Sequence, residues 1–197
     1  MIGRVIIVPF KFRNGEEMGF GSRLIELVVK HDLIPARIRW KKSASGVGRL
    51  FNDVFHMLDE DGRKNLAKLL YDWGVDDADE VIKVLKIKRN LHGCAVALIA
   101  TNCIFGIKSY IARENNDEIV IHATKCLWKD KKNWTPDVCA SIEKYDIGLV
   151  KGINKNVKYF CTKRRSKGDK VCEIKLKNFE ARSNQKLNTN RGQPCSF

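Results

Sequence analysis

Apolar and polar positions follow two different periods along the chain. Before about residue 103, apolar residues recur at helical spacing, as in the stripe of Leu66, Leu69, Leu70 and Trp73. After that point, residue-by-residue alternation indicates strands. The pattern predicts an α+β fold in which a helical N-terminal half, residues 1–103, precedes an antiparallel hairpin–helix–hairpin unit, residues 104–178. We expect a single domain over residues 1–178 and a flexible polar tail over residues 179–197.

The N-terminal half is predicted to open with a short strand at residues 1–10. Residues 43–48 are predicted to be a loop or the start of a helix, and Gly74 is predicted to stop a helix. Asp76 or Asp77 can cap the segment that follows. The predicted helical segments are, in order, Glu16–Lys30, Leu50–Leu58, Gly62–Trp73, the segment capped by Asp76 or Asp77, and a buried stretch from Leu91 to Cys103.

The C-terminal half is predicted to hold four strands around one helix. Thr135 caps that helix and Pro136 takes its first position, so it runs to about Lys151 and stops at Gly152. Residues 114–117 and 163–169 have the composition of turns. The predicted strands are Ile104–Arg113, Glu118–Cys126, Val157–Thr162 and Val171–Lys177.

Charge and composition limit the classes of partner. The chain has 37 Lys and Arg against 23 Asp and Glu, a net charge of +14, which favours anionic ligands or partners. It shows no helix-turn-helix, zinc-finger or aromatic RNA-binding signature, so nucleic acid is allowed but not favoured. No apolar run is long enough for a membrane span, and the N-terminal residues do not form a secretory signal. We therefore expect a cytoplasmic protein with reduced cysteines and no membrane partner, with a homodimer left open.

Strand alternation and helical spacing bring chemistry-bearing residues towards one place. Tyr159 and Cys161 share a face of one strand, and Cys172 lies on the apolar face of the next. On the earlier strand, either the set with His122 and Cys126 or the set with Ile119, Ile121 and Ala123 faces inward, and the pattern does not decide which. Helical spacing aligns Cys139, Glu143 and Asp146 beside the apolar stripe of their helix, so these residues can line a cavity between helix and sheet.

Three interpretations of the cysteines follow. First, His122, Cys126, Cys161 and Cys172, or Cys139 in place of the histidine, bind zinc, the one candidate cofactor. Second, a cysteine is a nucleophile with His122 or a carboxylate as its base. Third, the thiols are small buried hydrophobes. Trp128 and Trp134 flank a lysine-rich loop that can form a lid with an aromatic wall, or one can plug the core while the other stays partly exposed.

The C-terminal unit also resembles a known family. Cys126-Leu127-Trp128, Cys139 near a helix start, Gly148 to Asn154, and Gly168-Asp169-Lys170-Val171-Cys172 together resemble the L-2-amino-thiazoline-4-carboxylic acid hydrolase-like family. The Gly-Asp-x-x-Cys element also resembles the 4-vinyl-reductase domain, a small-molecule-binding module whose members include ligand sensors that hold zinc through cysteines. The resemblance covers roughly residues 119–177.

The resemblance implies a small-molecule-binding protein that hydrolyses a non-peptide C–N bond in a small cyclic carboxylate. Cys126, Cys139 and Cys172 are then the catalytic positions. The residues from pattern reasoning supply the substrate contacts, namely Trp128, Trp134, Glu143, Asp146 and Tyr159. The alternative is a ligand- or metal-sensing regulatory module that binds nucleic acid or a partner protein through its basic surface.

Overall fold

A computed structural model describes residues 36–179, apart from the side chain of Arg37. Contacts between Cα atoms divide the chain into two compact units, Met1–Arg39 and Trp40–Phe197. The predicted strand at residues 1–10, the predicted helix Glu16–Lys30 and the predicted tail beyond Phe179 lie outside the described residues. The single domain over residues 1–178 stays a prediction.

Four helices are described: α1 (Ala36–Met57), α2 (Glu60–Leu85), α3 (Leu91–Ile104) and α4 (Pro136–Ile153). Three of them begin at side-chain caps that satisfy a free backbone N–H. Asp59 accepts from Gly62 N at 2.8 Å, Asn90 accepts from Gly93 N at 2.8 Å, and Thr135 accepts from Val138 N at 3.3 Å. The predicted start of α4 is thus confirmed. None of the described helices has the length and apolarity needed to cross a bilayer.

The helical half has fewer breaks than the sequence predicts. Helix α1 is continuous through residues 43–48, and α2 is continuous through Gly74, where a helix stop was predicted. The Gly74 prediction is wrong because this glycine serves close packing rather than chain reversal. A Cβ atom at Gly74 would lie 2.1 Å from the carbonyl oxygen of Tyr145 and 2.7 Å from the backbone nitrogen of Leu149. Glycine at this position lets the backbone of α4 approach that of α2.

Four antiparallel strands form one sheet: β1 (Lys108–Glu114), β2 (Glu118–Lys125), β3 (Val157–Lys163) and β4 (Cys172–Asn178). The strand order is β1-β2-β4-β3, so the second strand of each hairpin lies at the centre. A short 3₁₀ helix, Arg165–Lys167, interrupts the connection between β3 and β4. The α+β class and the hairpin–helix–hairpin order are confirmed.

The core lies between one face of this sheet, the inner face, and helices α3 and α4. Ile119 and Ile121 of β2 have no exposed surface, and they pair across the ladder with Leu176 and Ile174 of β4. They pack in the same cluster as Leu98, Leu149 and other buried residues of α3 and α4. The facing of β2 is thereby decided: Ile119, Ile121 and Ala123 point inward, and His122 points to the opposite, outer face.

Helices α2 and α4 cross backbone to backbone. A Cβ atom at Gly148 would lie 2.0 Å from the carbonyl oxygen of Tyr71, and one at Gly152 would lie 2.6 Å from Ala78 Cβ. The hydroxyl of Tyr145 donates a 2.8 Å hydrogen bond to Asp77 beside the crossing. Small residues on both helices therefore set their separation.

We predict that Gly148→Ala lowers the free energy of unfolding by about 3 kcal/mol, because the new methyl group meets backbone that cannot rotate away. Urea unfolding followed by circular dichroism measures the change. Gly46→Ala in α1 is the matched control: nothing lies within 4 Å of the place that its new Cβ atom would take, so this change should stabilise by roughly 0.5–1 kcal/mol. Equal stability of the two variants would contradict the close crossing.

Candidate ligand-binding cavity

A cavity of about 110 Å³ lies between the N-terminal half of α4 and the inner face of the sheet. The loop between β2 and α4 closes one side of it. Residues from β2, β3, β4, α4, this loop and the β3–β4 connection contribute to its wall. The wall includes nine residues predicted as site residues: Cys126, Trp128, Trp134, Cys139, Glu143, Asp146, Tyr159, Cys161 and Cys172.

Helix α1 holds the closing loop in place. The indole N–H of Trp128 donates to the carbonyl of Ala44 at 2.9 Å, and the Asn52 amide donates to the carbonyl of Lys132 at 3.2 Å. The rings of Trp128 and Trp134 lie 5.4 Å apart, and both are buried, with exposed fractions of 3% and 8%. The expectation that one tryptophan is partly exposed is therefore wrong, because α1 covers the loop. Together the two rings form an aromatic wall.

One end of the cavity is polar. Glu143 of α4 forms an ion pair with Arg164, and both side chains are largely buried. Burial raises the pKa of Glu143, while the guanidinium of Arg164 opposes that shift. Burial, together with the nearby charge of Glu143, also raises the pKa of the Tyr159 hydroxyl. The pair is thus close to neutral as a unit and offers little charge to a ligand.

The carboxyl of Asp146 in this wall has no described partner. Although it keeps some accessible surface, protein atoms surround it, and no hydrogen bond or ion pair is described for it within residues 36–179. Burial, followed by the negative charge of Glu143, raises the pKa of Asp146 to about 7. The cavity therefore contains a carboxyl group that is available for a hydrogen bond and changes protonation near neutral pH.

Three of the cavity thiols, those of Cys126, Cys139 and Cys172, accept hydrogen bonds, whereas the thiol of Cys161 donates to the carbonyl of Lys163 at 3.3 Å. Cys139 Sγ accepts from the indole N–H of Trp134 at 2.8 Å, and Cys172 Sγ accepts from Arg165 N at 3.3 Å. Burial raises the pKa of Cys126 and Cys172, and raises that of Cys161 to about 12. Burial thus favours the protonated form of these three thiols, which is a poor nucleophile.

His122 does not join the cysteines. It lies on the outer face of the sheet, where its Nε2 is 3.1 Å from Glu173 Oε2 and its ring meets Tyr110 edge-on. The predicted zinc set of His122, Cys126, Cys161 and Cys172 is therefore not brought together, because the sheet separates the imidazole from the thiols. In the described part of the chain, no group of three or more His, Cys, Asp or Glu side chains is arranged to hold a metal ion.

Sequence reasoning missed Arg164 as a cavity residue, since it lies in a run of charges typical of an exposed turn. A register shift between Cys161 and Lys163, followed by the 3₁₀ helix, turns Arg164 inward against Glu143. The available signal was Glu143 itself, because a carboxylate placed beside the apolar stripe of a helix needs a cation nearby.

This chain shares its fold with solved structures of other proteins. No protein-family profile matches the chain, and no curated protein sequence matches it. One similar structure is the phenol-responsive sensory domain of the transcription activator PoxR with phenol. It superposes with a TM-score of 0.51 and 16% sequence identity, and the match covers 77% of this chain and 82% of that one. Another is trafficking protein particle complex subunit 3 from Naegleria fowleri, covalently bound to palmitic acid. It superposes with a TM-score of 0.50 and 16% sequence identity, and the match covers 72% of this chain and 96% of that one. At this identity the likeness establishes the fold alone.

We predict that Asp146 makes stability depend on pH. Its folded pKa of about 7 lies above its ordinary 3.8, so the folded state binds the proton more tightly than the unfolded chain does. The free energy of unfolding then falls as pH rises from about 4 to about 7. Asp146→Asn cannot ionise, so it should be more stable than the wild type at pH 8 by roughly 2–4 kcal/mol and nearly equal at pH 4.

Chemical unfolding at the two pH values measures this difference. Asp76→Asn, at an exposed position of α2, is the matched control. It should change the free energy of unfolding by the same small amount at both pH values. If the free energy of unfolding of Asp146→Asn differs from that of the wild type by the same amount at both pH values, Asp146 is not held in an apolar site.

Proposed function

We propose that this chain is a small-molecule-binding module whose ligand occupies the cavity beneath α4. The observation that carries the proposal is the composition of the cavity wall. Two tryptophan rings and several apolar side chains surround a space that has an unpaired carboxyl, Asp146, at one end. Concave, mainly apolar sites with a few convergent polar groups are typical of ligand pockets. Carboxyl groups in apolar surroundings are usually paired, and Asp146 has no described partner within residues 36–179.

The volume limits the ligand. A cavity of about 110 Å³ is somewhat smaller than the roughly 150 Å³ apolar cavity that accepts benzene in a well-studied engineered protein. The proposed ligand is therefore a compact, mainly apolar molecule of at most one ring, or the end of a longer chain. Its polar group faces Asp146, where it donates a hydrogen bond to the carboxylate or accepts one from the carboxylic acid.

The shared fold gives further support to this proposal. The PoxR sensory domain is described with phenol and the trafficking subunit with palmitic acid. Both ligands are largely apolar and carry one polar end, which is the kind of molecule that the wall of this cavity favours. A regulatory role for the chain, as in a sensory domain, is part of the proposal.

Hydrolysis of C–N bonds finds no such support. The family resemblance predicted catalytic cysteines, and burial raises the pKa of two of them, Cys126 and Cys172. Among the described residues, no histidine lines the cavity and could activate a thiol. The arrangement favours binding over turnover.

We predict that small, mainly apolar compounds, with one ring or a single alkyl chain, stabilise the protein in proportion to their fit. Phenol, cyclohexanol and sodium octanoate are suitable probes, followed by thermal unfolding and isothermal titration calorimetry. Cys172→Leu adds volume to the cavity wall and should weaken binding of the best probe at least tenfold, because the ring loses its space. Cys103→Leu is the matched control, since Cys103 is exposed on α3 and should leave binding unchanged.

Two results would contradict the proposal. One is that no probe raises the midpoint of thermal unfolding at millimolar concentration. The other is that Cys172→Leu and Cys103→Leu bind the best probe equally well while both remain folded by circular dichroism.

A further inference from the structure

The outer face of the sheet carries exposed aromatic rings. Tyr110 of β1 and Phe160 of β3 point away from the helices, and Phe179 follows the end of β4. Their exposed fractions are 48%, 41% and 43%. The core already lies on the inner face, so these rings do not contribute to it. Rings left in water on a solvated strand face are a feature of interaction surfaces.

Lysines surround these rings. Lys158, Lys175 and Lys177 lie on the same outer face of β3 and β4, where strand alternation places them between or beside the rings. The ammonium of Lys158 lies 4.3 Å from the centroid of the Phe179 ring. Lys163 lies at the end of the same strand as Phe160 and pairs with Glu173.

Two glutamates reduce this charge but do not cancel it. Glu118 pairs with Arg113 and Lys177, and Glu173 pairs with Lys163, with Lys175 at 3.7 Å. These carboxylates orient the long basic side chains across the face. Asp117 also lines a depression on this face, so five basic residues face three acidic ones, and the surface keeps a small net positive charge.

A shallow depression of about 780 Å³ lies on this face. Phe160 and Phe179 line it together with Thr162. Lys175 and Lys177 add cationic groups, and Asp117 and Glu118 add two carboxylates. Amide groups from Asn115, Asn116 and Asn178 complete the rim. Its size is that of a pocket for a mononucleotide-sized group. In complexes with single-stranded nucleic acid, aromatic rings stack on bases, ammonium groups bind phosphates, and amides bind the edges of bases.

We propose that the outer face of the sheet binds single-stranded nucleic acid, with bases stacked on Phe160 and Phe179 and phosphates against Lys158, Lys175 and Lys177. A single strand fits because its bases are free to lie flat on exposed rings, whereas a duplex keeps its bases stacked on one another. This site is separate from the cavity of the proposed function, because the sheet lies between them.

Charge argues against the other occupants of this face. The segment that continues from Phe179, residues 180–197, carries one glutamate against Arg182, Lys186 and Arg191. A second copy of the chain would bring a net charge of +14. Both are basic and would be repelled by a basic surface, whereas a polyanion is attracted to it.

The test uses fluorescence anisotropy with labelled 12-nucleotide single strands, DNA and RNA of one mixed sequence, and the matching DNA duplex. We expect the single strands to bind more tightly than the duplex, with affinity that falls as salt rises from 50 to 200 mM. Phe160→Ala should weaken binding at least fivefold, because a base loses its stacking partner. Phe160→Tyr keeps a ring and should restore most of the affinity.

Matched controls separate the site from general charge. Lys175→Gln should weaken binding and flatten the salt dependence, whereas Lys83→Gln removes the same charge from the exposed end of α2 and should do much less. Trp73→Ala removes an exposed ring of α2 that lies far from the sheet and should leave binding unchanged. Circular dichroism checks that each variant is folded.

The proposal is overturned if no single strand binds at 50 mM salt, or if the duplex binds as tightly as the single strands. It is equally overturned if Phe160→Ala binds like the wild type, or if Lys83→Gln weakens binding as much as Lys175→Gln.

Discussion

The close crossing of α2 and α4 is the constraint on which the rest of the described structure depends. Gly74 and Gly148 let two backbones meet where any side chain would collide with a carbonyl oxygen. Beyond the crossing, Leu149 and Ile153 anchor the C-terminal half of α4 in the core. The N-terminal half of the same helix is thereby held over the sheet, and the cavity forms there. One end of the helix is packed tightly and the other end bounds a space.

That space combines an apolar wall with groups that are costly to bury. The Glu143–Arg164 pair is tolerated because each partner offsets the desolvation of the other. Asp146 has no such described partner, and burial, followed by the negative charge of Glu143, raises its pKa. A protein selected for stability alone would gain from an apolar residue at that position. A bound ligand with one polar group would give Asp146 a partner, as proposed above, and the aromatic wall held by α1 would give that ligand an apolar surface to contact.

The sheet presents two surfaces of different chemistry because strand side chains alternate. Along β4, Cys172 and Ile174 face the cavity, whereas Glu173 and Lys175 face outward. The small-molecule proposal concerns the first surface and the nucleic-acid proposal the second. A substitution on one surface leaves the other in place, so each proposal can fail without the other. Were both to hold, β4 would be the element common to the two sites.

Local patterns in the sequence were enough to predict the α+β class, the cap of α4 by Thr135, and the alignment of Cys139, Glu143 and Asp146 on one side of a helix. Each of these follows from neighbouring residues through the helical or strand period. The facing of β2, the inward turn of Arg164, and the role of Gly74 in packing rather than in stopping a helix were decided only by the tertiary structure. In each of these cases the determining partner lies far away along the chain, on α4 or across the sheet, and no local period carries that information.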